Sequence, residues 1–271
     1  MALTTHASEP QPKAEPPVIG AGRVDWTGRD VVIGILLFIG LFLLGQIVVI
    51  PVAIVYGTSS VATYATAYIA GAIVELAIVV VAANLTFRRY GGSWDRLGIK
   101  PITVKALLWA GAAFLGALTV SYLYALVVYA FGLDFLKTDC AEQVPKTVRD
   151  HRELLALASI VVVAFAPPCE ELFFRGFLFP GLARRWGTAA GIVASGLLFS
   201  SAHLLPKSFI PIAGVGMVFA FTYWRSGNIL STMLAHLSFN SLSIAFIAGG
   251  SCDTSSIGMI HPALVHWSLP F

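Results

Sequence analysis

Long apolar stretches dominate the pattern along this chain. Residues 31–85 contain a single charged residue, Glu75, and residues 106–133 and 226–251 contain none. A helix that crosses a bilayer needs about 20 mostly apolar residues, so each stretch is long enough for one span or two. The apolar runs are continuous, whereas the strands of a membrane β-barrel alternate, which excludes a barrel. The pattern predicts an all-α, polytopic bundle of transmembrane helices.

About seven spans follow from this pattern. They are residues 31–56, 62–85, 104–131, 153–180, 188–205, 208–224 and 228–249. The fourth differs from the others because Pro167 and Pro168 interrupt its apolar run. A proline inside a helix costs about 3 kcal/mol, so we expect a kink or a restart of the helix there.

The same pattern divides the chain into four regions. Four prolines within the first twenty residues predict a flexible tail over residues 1–30. Residues 31–150 form an N-terminal membrane region, residues 151–250 a second membrane region, and residues 251–271 a C-terminal tail. We see no internal repeat of fixed period.

Composition and charge agree with a membrane location. Apolar residues make up 57% of the chain and charged residues 11%, whereas a soluble domain has about 25% charged residues. An N-terminus in the cytoplasm puts eleven Lys and Arg residues on the inner side and five on the outer side, which the positive-inside rule favours. No basic cluster interleaved with aromatic residues calls for a nucleic-acid partner. The absence of targeting signals favours a bacterial inner membrane.

Ionisable residues at membrane depth are few, and they are expected to be functional because burying them in lipid is costly. They are Glu75, Glu170, Glu171, Arg175, His203 and His236, with Asn240 as a polar amide. Residues four apart share a helix face, so Glu171 and Arg175 can neutralise each other. Glu170 lies about 100° around the helix and has no partner in this segment. The alternative is a charge cluster that only ties helices together.

The remaining polar groups lie at similar depth. At 1.5 Å per residue, each is about 16–22 Å from the cytoplasmic end of its span, so they can meet at one level. These groups are Glu170, His203, His236 and Asn240. His203 lies one turn after Phe199, and Asn240 lies one turn after His236. Each histidine taken alone can equally be explained by a hydrogen bond to a backbone carbonyl.

These residue types suit the hydrolysis of an amide. Glu170 fits a general base for water, and His203 fits a group that orients the water. His236 and Asn240 can donate hydrogen bonds to the tetrahedral oxyanion. The alternative is a zinc site with Glu170, His203 and His236 as ligands. No HExxH motif is present, and asparagine is a poor zinc ligand, so a metal-free site without cofactor is favoured.

Three short motifs carry a resemblance to a known family. Residues 170–175 read EELFFR, residues 199–203 read FSSAH and residues 236–240 read HLSFN. They resemble the EExxxR, FxxxH and HxxxN motifs of the CPBP family, the CaaX-protease and bacteriocin-processing (abortive-infection) family of intramembrane endopeptidases. Residues 1–150 carry no motif of this family.

The resemblance implies an intramembrane endopeptidase whose catalytic core is residues 151–250. It implies that Glu170 and His203 activate water, that His236 and Asn240 form the oxyanion hole, and that Glu171, Arg175 and Phe199 support them. The expected partners are a peptide or membrane-protein substrate and the lipid bilayer. The alternative is a non-proteolytic membrane protein, such as a transporter or a bacteriocin-immunity protein. A transporter would be expected to carry polar residues in several spans, and the first three here have almost none.

Two features stay open in the sequence. Glu75 can pair with a basic residue at the membrane edge, face the cavity or contact substrate. Cys140 and Cys252 fall on the outer side of the predicted topology, where a disulfide can persist, and they are either unrelated thiols or a bridge.

Overall fold

A computed structural model describes residues 24–138 and 144–248, and this part of the chain contains helices and no β-strand. The all-α prediction is therefore confirmed. Eight helices are present in the described residues. They are α1 Gly28–Tyr56, α2 Val61–Arg88, α3 Val104–Ala130, α4 Lys146–Asp150, α5 Arg152–Trp186, α6 Thr188–Ala202, α7 Phe209–Ser226 and α8 Ile229–Ala248.

Each predicted span coincides with one helix, and the short α4 is the helix that the pattern did not predict. Five helices are long and apolar enough to cross a membrane, namely α1, α2, α3, α5 and α8. Helix α6 is shorter, with 15 residues, and α7 has 18. The chain is a multi-pass membrane protein, and its number of spans is approximate. The predicted tails, apart from residues 24–30, lie outside the described residues, as do Cys140 and Cys252.

Helix α5 continues through its two prolines. The sequence predicted either a kink or a restart of the helix at this point, and the structure excludes the restart. The turns at Ile160–Phe165 are wider than α-helical turns, as are those at Glu171–Leu178. A proline ring clashes with the carbonyl four residues earlier, which for Pro167 is that of Val163. That carbonyl lies within the first widened segment, and the extra room there lets the helix accept the prolines.

The core of the bundle is built around α5. All eight residues of Glu171–Leu178 are buried. Phe173 stacks on Phe38 of α1, with ring centroids 5.6 Å apart, and Phe174 packs edge-on against Phe199 of α6 at 5.2 Å. Phe177 contributes a ring near Trp26, at 6.1 Å. Aromatic contacts of this kind add to the burial of apolar area and fix α5 between its neighbours.

Polar contacts anchor the start of α1. The backbone N–H of Thr27 donates to the Asp30 carboxylate at 2.8 Å, and the Tyr90 hydroxyl donates to the same oxygen at 2.6 Å. The bond to Asp30 raises the pKa of Tyr90. Trp26 Nε1 donates to the carbonyl of Phe177 at 2.9 Å. The beginning of α1 is thereby held against both α5 and the segment after α2.

Helices α6 and α7 approach each other closely at glycines. A Cβ added to Gly196 would lie 2.6 Å from the Ala213 carbonyl oxygen, and one added to Gly216 would lie 2.9 Å from the Gly196 Cα. Small residues permit this kind of backbone contact between membrane helices. The contact brings the end of α6, with Phe199 and His203, next to α7 and α5.

Candidate functional site

A buried ion pair forms the base of the site. Arg175 Nη1 lies 2.9 Å from Glu171 Oε1, and both side chains are 0% exposed. The i, i+4 spacing within α5 predicted this contact. Arg175 Nη2 also donates to the carbonyl of Gly216 at 3.2 Å, and its guanidinium lies 4.1 Å from the centre of the Phe199 ring. Arg175 thus joins α5, α6 and α7 around one charge.

The His236 ring lies between two carboxylates. Its Nδ1 is 3.1 Å from Glu171 Oε1, and its Nε2 is 3.6 Å from Glu170 Oε2. The rings of Phe199 and Phe219 pack against it at centroid distances of 5.7 and 5.2 Å. The sequence did not indicate that Glu171 binds this histidine as well as Arg175. The two consecutive glutamates of α5 therefore hold opposite edges of one imidazole.

Glu170 takes no part in the buried ion pair between Glu171 and Arg175. It is 4% exposed and lies within electrostatic range of both Arg175 and His203. Together with the contact to His236, this places Glu170 among groups from α5, α6 and α8. The depth argument from the sequence predicted that these helices bring their polar residues to one level.

His203 lies directly after the last residue of α6. Its Nδ1 is 2.8 Å from the carbonyl oxygen of Phe199, and its ring packs edge-on against Phe199 at 4.6 Å. Because a carbonyl oxygen only accepts, the hydrogen belongs on Nδ1, which leaves Nε2 as an acceptor. Leu204, the next residue, has φ of 52°, a left-handed conformation that is costly for leucine. The chain thus turns sharply where it presents His203.

Asn240 lies one turn after His236 on α8. Its Nδ2 donates to the carbonyl of Val162 at 2.9 Å. Val162 is in the widened segment Ile160–Phe165 of α5, where backbone carbonyls leave the regular α-helical pattern. A side-chain amide carries two hydrogens, so this bond orients the group and commits only one of them.

Glu75 joins this region from α2. It is 4% exposed and lies within electrostatic range of Glu170 and Cys169. Of the three alternatives for Glu75 in the sequence, the structure excludes a partner at the membrane edge. The absence of a counter-ion within its span already singled out Glu75 in the sequence. The hydrophobic pattern did not show which face of α2 points inward.

The residues present do not fit a metal site. Within residues 24–138 and 144–248, no group of three or more His, Cys, Asp and Glu side chains is arranged to hold a metal ion. A zinc ion therefore has no assembled ligand set in this part of the chain.

An apolar cavity of about 360 Å³ opens beside the site, between α1, α5 and α6. Its lining includes Phe38, Phe42, Phe173, Phe174, Ala202 and Leu204. Two of these residues flank His203 in the chain. The cavity therefore lies between the lipid-facing helix α1 and the end of α6, from which His203 follows.

Comparison with known proteins gives one match. Residues 152–242 match the family model described as type II CAAX prenyl endopeptidase Rce1-like. No curated protein and no solved structure matches the chain. The matched residues begin with α5 and end in α8, and they contain all three motifs. The match confirms, for residues 152–242, the resemblance to the CPBP family that the motifs predicted.

Proposed function

We propose that this protein is an intramembrane endopeptidase in which Glu170 is the general base. The observation that carries the proposal is the division of labour between the adjacent glutamates. Glu171 is engaged by Arg175 at 2.9 Å and by His236 Nδ1 at 3.1 Å, whereas Glu170 faces His236 Nε2 at 3.6 Å. One carboxylate of the pair is structural, and the other can accept a proton.

The reaction uses a single water molecule. Glu170 takes a proton from the water as the oxygen attacks the carbonyl carbon of the peptide bond, and the carbonyl becomes a tetrahedral oxyanion. When the oxyanion collapses, the C–N bond breaks and Glu170 returns the proton to the leaving amine. Glu170 ends as the carboxylate it was at the start.

His203 orients the attacking water. Its Nδ1 hydrogen is directed to the Phe199 carbonyl, so Nε2 can accept a hydrogen bond from the water. This bond and the one to Glu170 would fix both hydrogens of the water and direct a lone pair at the substrate.

His236 and Asn240 stabilise the oxyanion. His236 Nδ1 bonds Glu171 Oε1 at 3.1 Å, which orients the ring. Nε2 lies 3.6 Å from Glu170 Oε2, beyond hydrogen-bond distance, so it can donate to the oxyanion. The bond from Asn240 to Val162 leaves the second amide hydrogen for the substrate.

The substrate we propose is a peptide with an apolar anchor. The matched family is described by its action on CAAX prenyl sequences, and prenylation attaches an isoprenoid to the cysteine of such a sequence. The 360 Å³ apolar cavity next to His203 suits a chain of this kind. The bacterial inner membrane stays the favoured location.

The test is cleavage of a farnesylated, internally quenched CAAX peptide by the purified protein in proteoliposomes. Glu170→Gln keeps size but loses the base, so the rate should fall by about 10²–10⁴. Glu153→Gln is the matched control, because this exposed glutamate lies at the start of the same helix and its loss should leave the rate unchanged. A Glu170→Gln variant as active as the wild type would sink the mechanism and favour a non-catalytic binding role.

Metal removal provides a second arm of this test. Wild-type protein treated with a chelator should retain its cleavage rate. Loss of activity on chelation, with recovery on adding zinc alone, would favour a metal-assisted mechanism over activation of water by a glutamate.

A further inference from the structure

Glu75 is a buried ionisable group in the middle of a membrane span that the proposed reaction does not use. It is the sole acidic or basic residue of Val61–Ala83 in α2 and is 4% exposed. Its Oε2 has no hydrogen-bond partner among the residues that the structure describes. A buried carboxyl oxygen without a partner is costly, so its presence in the middle of a membrane span needs a reason.

Two groups of α5 lie within electrostatic range of Glu75. They are the carboxyl group of Glu170 and the thiol of Cys169. Helix α2 packs against Ala166–Glu170, which brings these residues to its inner face. A charge on Glu170 acts on Glu75 and has the same sign as a glutamate anion.

Two neighbouring carboxylates in a medium of low dielectric constant cannot both carry a charge cheaply, and one of them keeps a proton. Glu170 lies 3.6 Å from His236 Nε2 and within range of Arg175, two groups that can balance a negative charge on it. Glu75 has neither neighbour. The proton of the pair therefore belongs on Glu75.

We propose that Glu75 is a positioning residue of the active site, a neutral carboxyl group that faces Glu170 and holds it as the anion that accepts a proton from water. The proposal rests on the proposed function, since it assigns a partner to the general base. The proton on Glu75 stays in place through the cycle, because Glu170 both takes and returns the proton of the water.

The experiment compares Glu75→Gln with Glu75→Met over a pH–rate profile in proteoliposomes with the farnesylated peptide. Glutamine keeps a neutral hydrogen-bond donor of the same shape, so its rate should stay within about threefold of the wild type with the same acid limb. Methionine lacks the donor, so its rate should fall about tenfold and its acid limb should move to higher pH by about one unit. Leu76→Met, at a lipid-facing position on the same helix, is the control and should change neither.

Two results would overturn the proposal. Acid limbs that move to lower pH in both Glu75 variants would mean that Glu75 carries a negative charge beside Glu170. If the acid limb of the pH–rate profile is unchanged in both Glu75→Gln and Glu75→Met, Glu75 has only a packing role. Inactivity of the wild type, or full activity of Glu170→Gln, would instead refute the proposed function.

Infrared difference spectroscopy tests the protonation of Glu75 without catalysis and without the methionine variant. At neutral pH the wild type should show the carbonyl band of a protonated carboxyl group. The band should disappear in Glu75→Gln and persist in the inactive Glu170→Gln. A band that is absent from the wild type, or unchanged in Glu75→Gln, refutes a neutral Glu75.

Discussion

Helices α1 and α5 are both long and apolar, yet they have opposite surroundings. In α1, the buried residues are Asp30, Val31 and Gly34, all near its start, whereas every residue of Glu171–Leu178 in α5 is buried. Ile54 of α1 is 78% exposed on the outside of the bundle, where lipid would surround it. Hydrophobicity therefore identifies a helix that crosses the bilayer, and ionisable groups in the middle of the span identify the one that lies inside the protein.

The difference has an energetic origin. A lipid-facing side chain exchanges one apolar neighbour for another, so its identity matters little. A buried charge in the bundle must keep its partner because the alternative is an isolated ion in a medium of low dielectric constant. We therefore expect substitutions in α5 and its contacts to be severe and comparable substitutions in α1 to be mild.

The largest expected effect is the loss of the buried ion pair. Glu171→Gln should lower the free energy of unfolding by about 3–5 kcal/mol, because it leaves Arg175 as an uncompensated charge. Denaturant unfolding in detergent micelles measures this, with the exposed Glu153→Gln as the control, expected within about 0.5 kcal/mol of the wild type. Equal stability of the two variants would show that Arg175 does not depend on Glu171.

Loss of an oxyanion donor should come next. Asn240→Ala should raise the barrier of the cleavage step by about 2.7–4 kcal/mol, a fall of about 10²–10³ in kcat. Ser241→Ala is the neighbouring control, since the Ser241 hydroxyl bonds only a carbonyl of its own helix, that of Leu237. If kcat of the two variants is alike, Asn240 does not contact the oxyanion.

A smaller effect is expected where glycine allows helices to meet. Gly196→Ala should cost about 1–3 kcal/mol of stability, because the new methyl group would lie 2.6 Å from the Ala213 carbonyl oxygen. Gly40→Ala in α1 is the matched change, with no neighbouring atom within 4 Å of the added Cβ. It should be neutral or stabilising by up to about 1 kcal/mol. Reversal of this order in thermal unfolding would contradict the close α6–α7 contact.

The smallest effect should be found on the outer face of α1. Ile54→Ala removes an exposed apolar group and should change the free energy of unfolding by less than about 0.5 kcal/mol. The same micelle assay applies. A loss above about 2 kcal/mol would indicate that this face is covered by protein rather than lipid.

The sequence predicted much of the fold, because apolar length is a local property. All seven predicted spans correspond to helices, although α5 runs on to Trp186. It also predicted the pairing of Glu171 with Arg175, which depends only on helical spacing. The assignment of catalytic roles to Glu170, His203, His236 and Asn240 stays a prediction.

The rest depends on how helices rotate against one another, which spacing does not encode. The contact between His236 and Glu171 joins α8 to α5, and the bond from Asn240 to Val162 joins them again. Glu75 is similar, because its inward orientation depends on the packing of α2 against α5. No pattern along the chain distinguishes these partners from others at equal depth.

The widened turns of α5 have a consequence for insertions and deletions. Each widened turn contains more residues than an α-helical turn, so it can be regarded as an insertion that the helix absorbs without forming a loop. Deleting one residue between Glu171 and Leu178 should therefore narrow the turn to an α-helical one and leave the two halves of α5 in phase. A deletion in the regular α-helical segment Phe179–Trp186 has no widened turn to absorb it and would rotate the residues after it by about 100° to different neighbours. The phase of a single helix thus links the polar site within the membrane to the membrane surface.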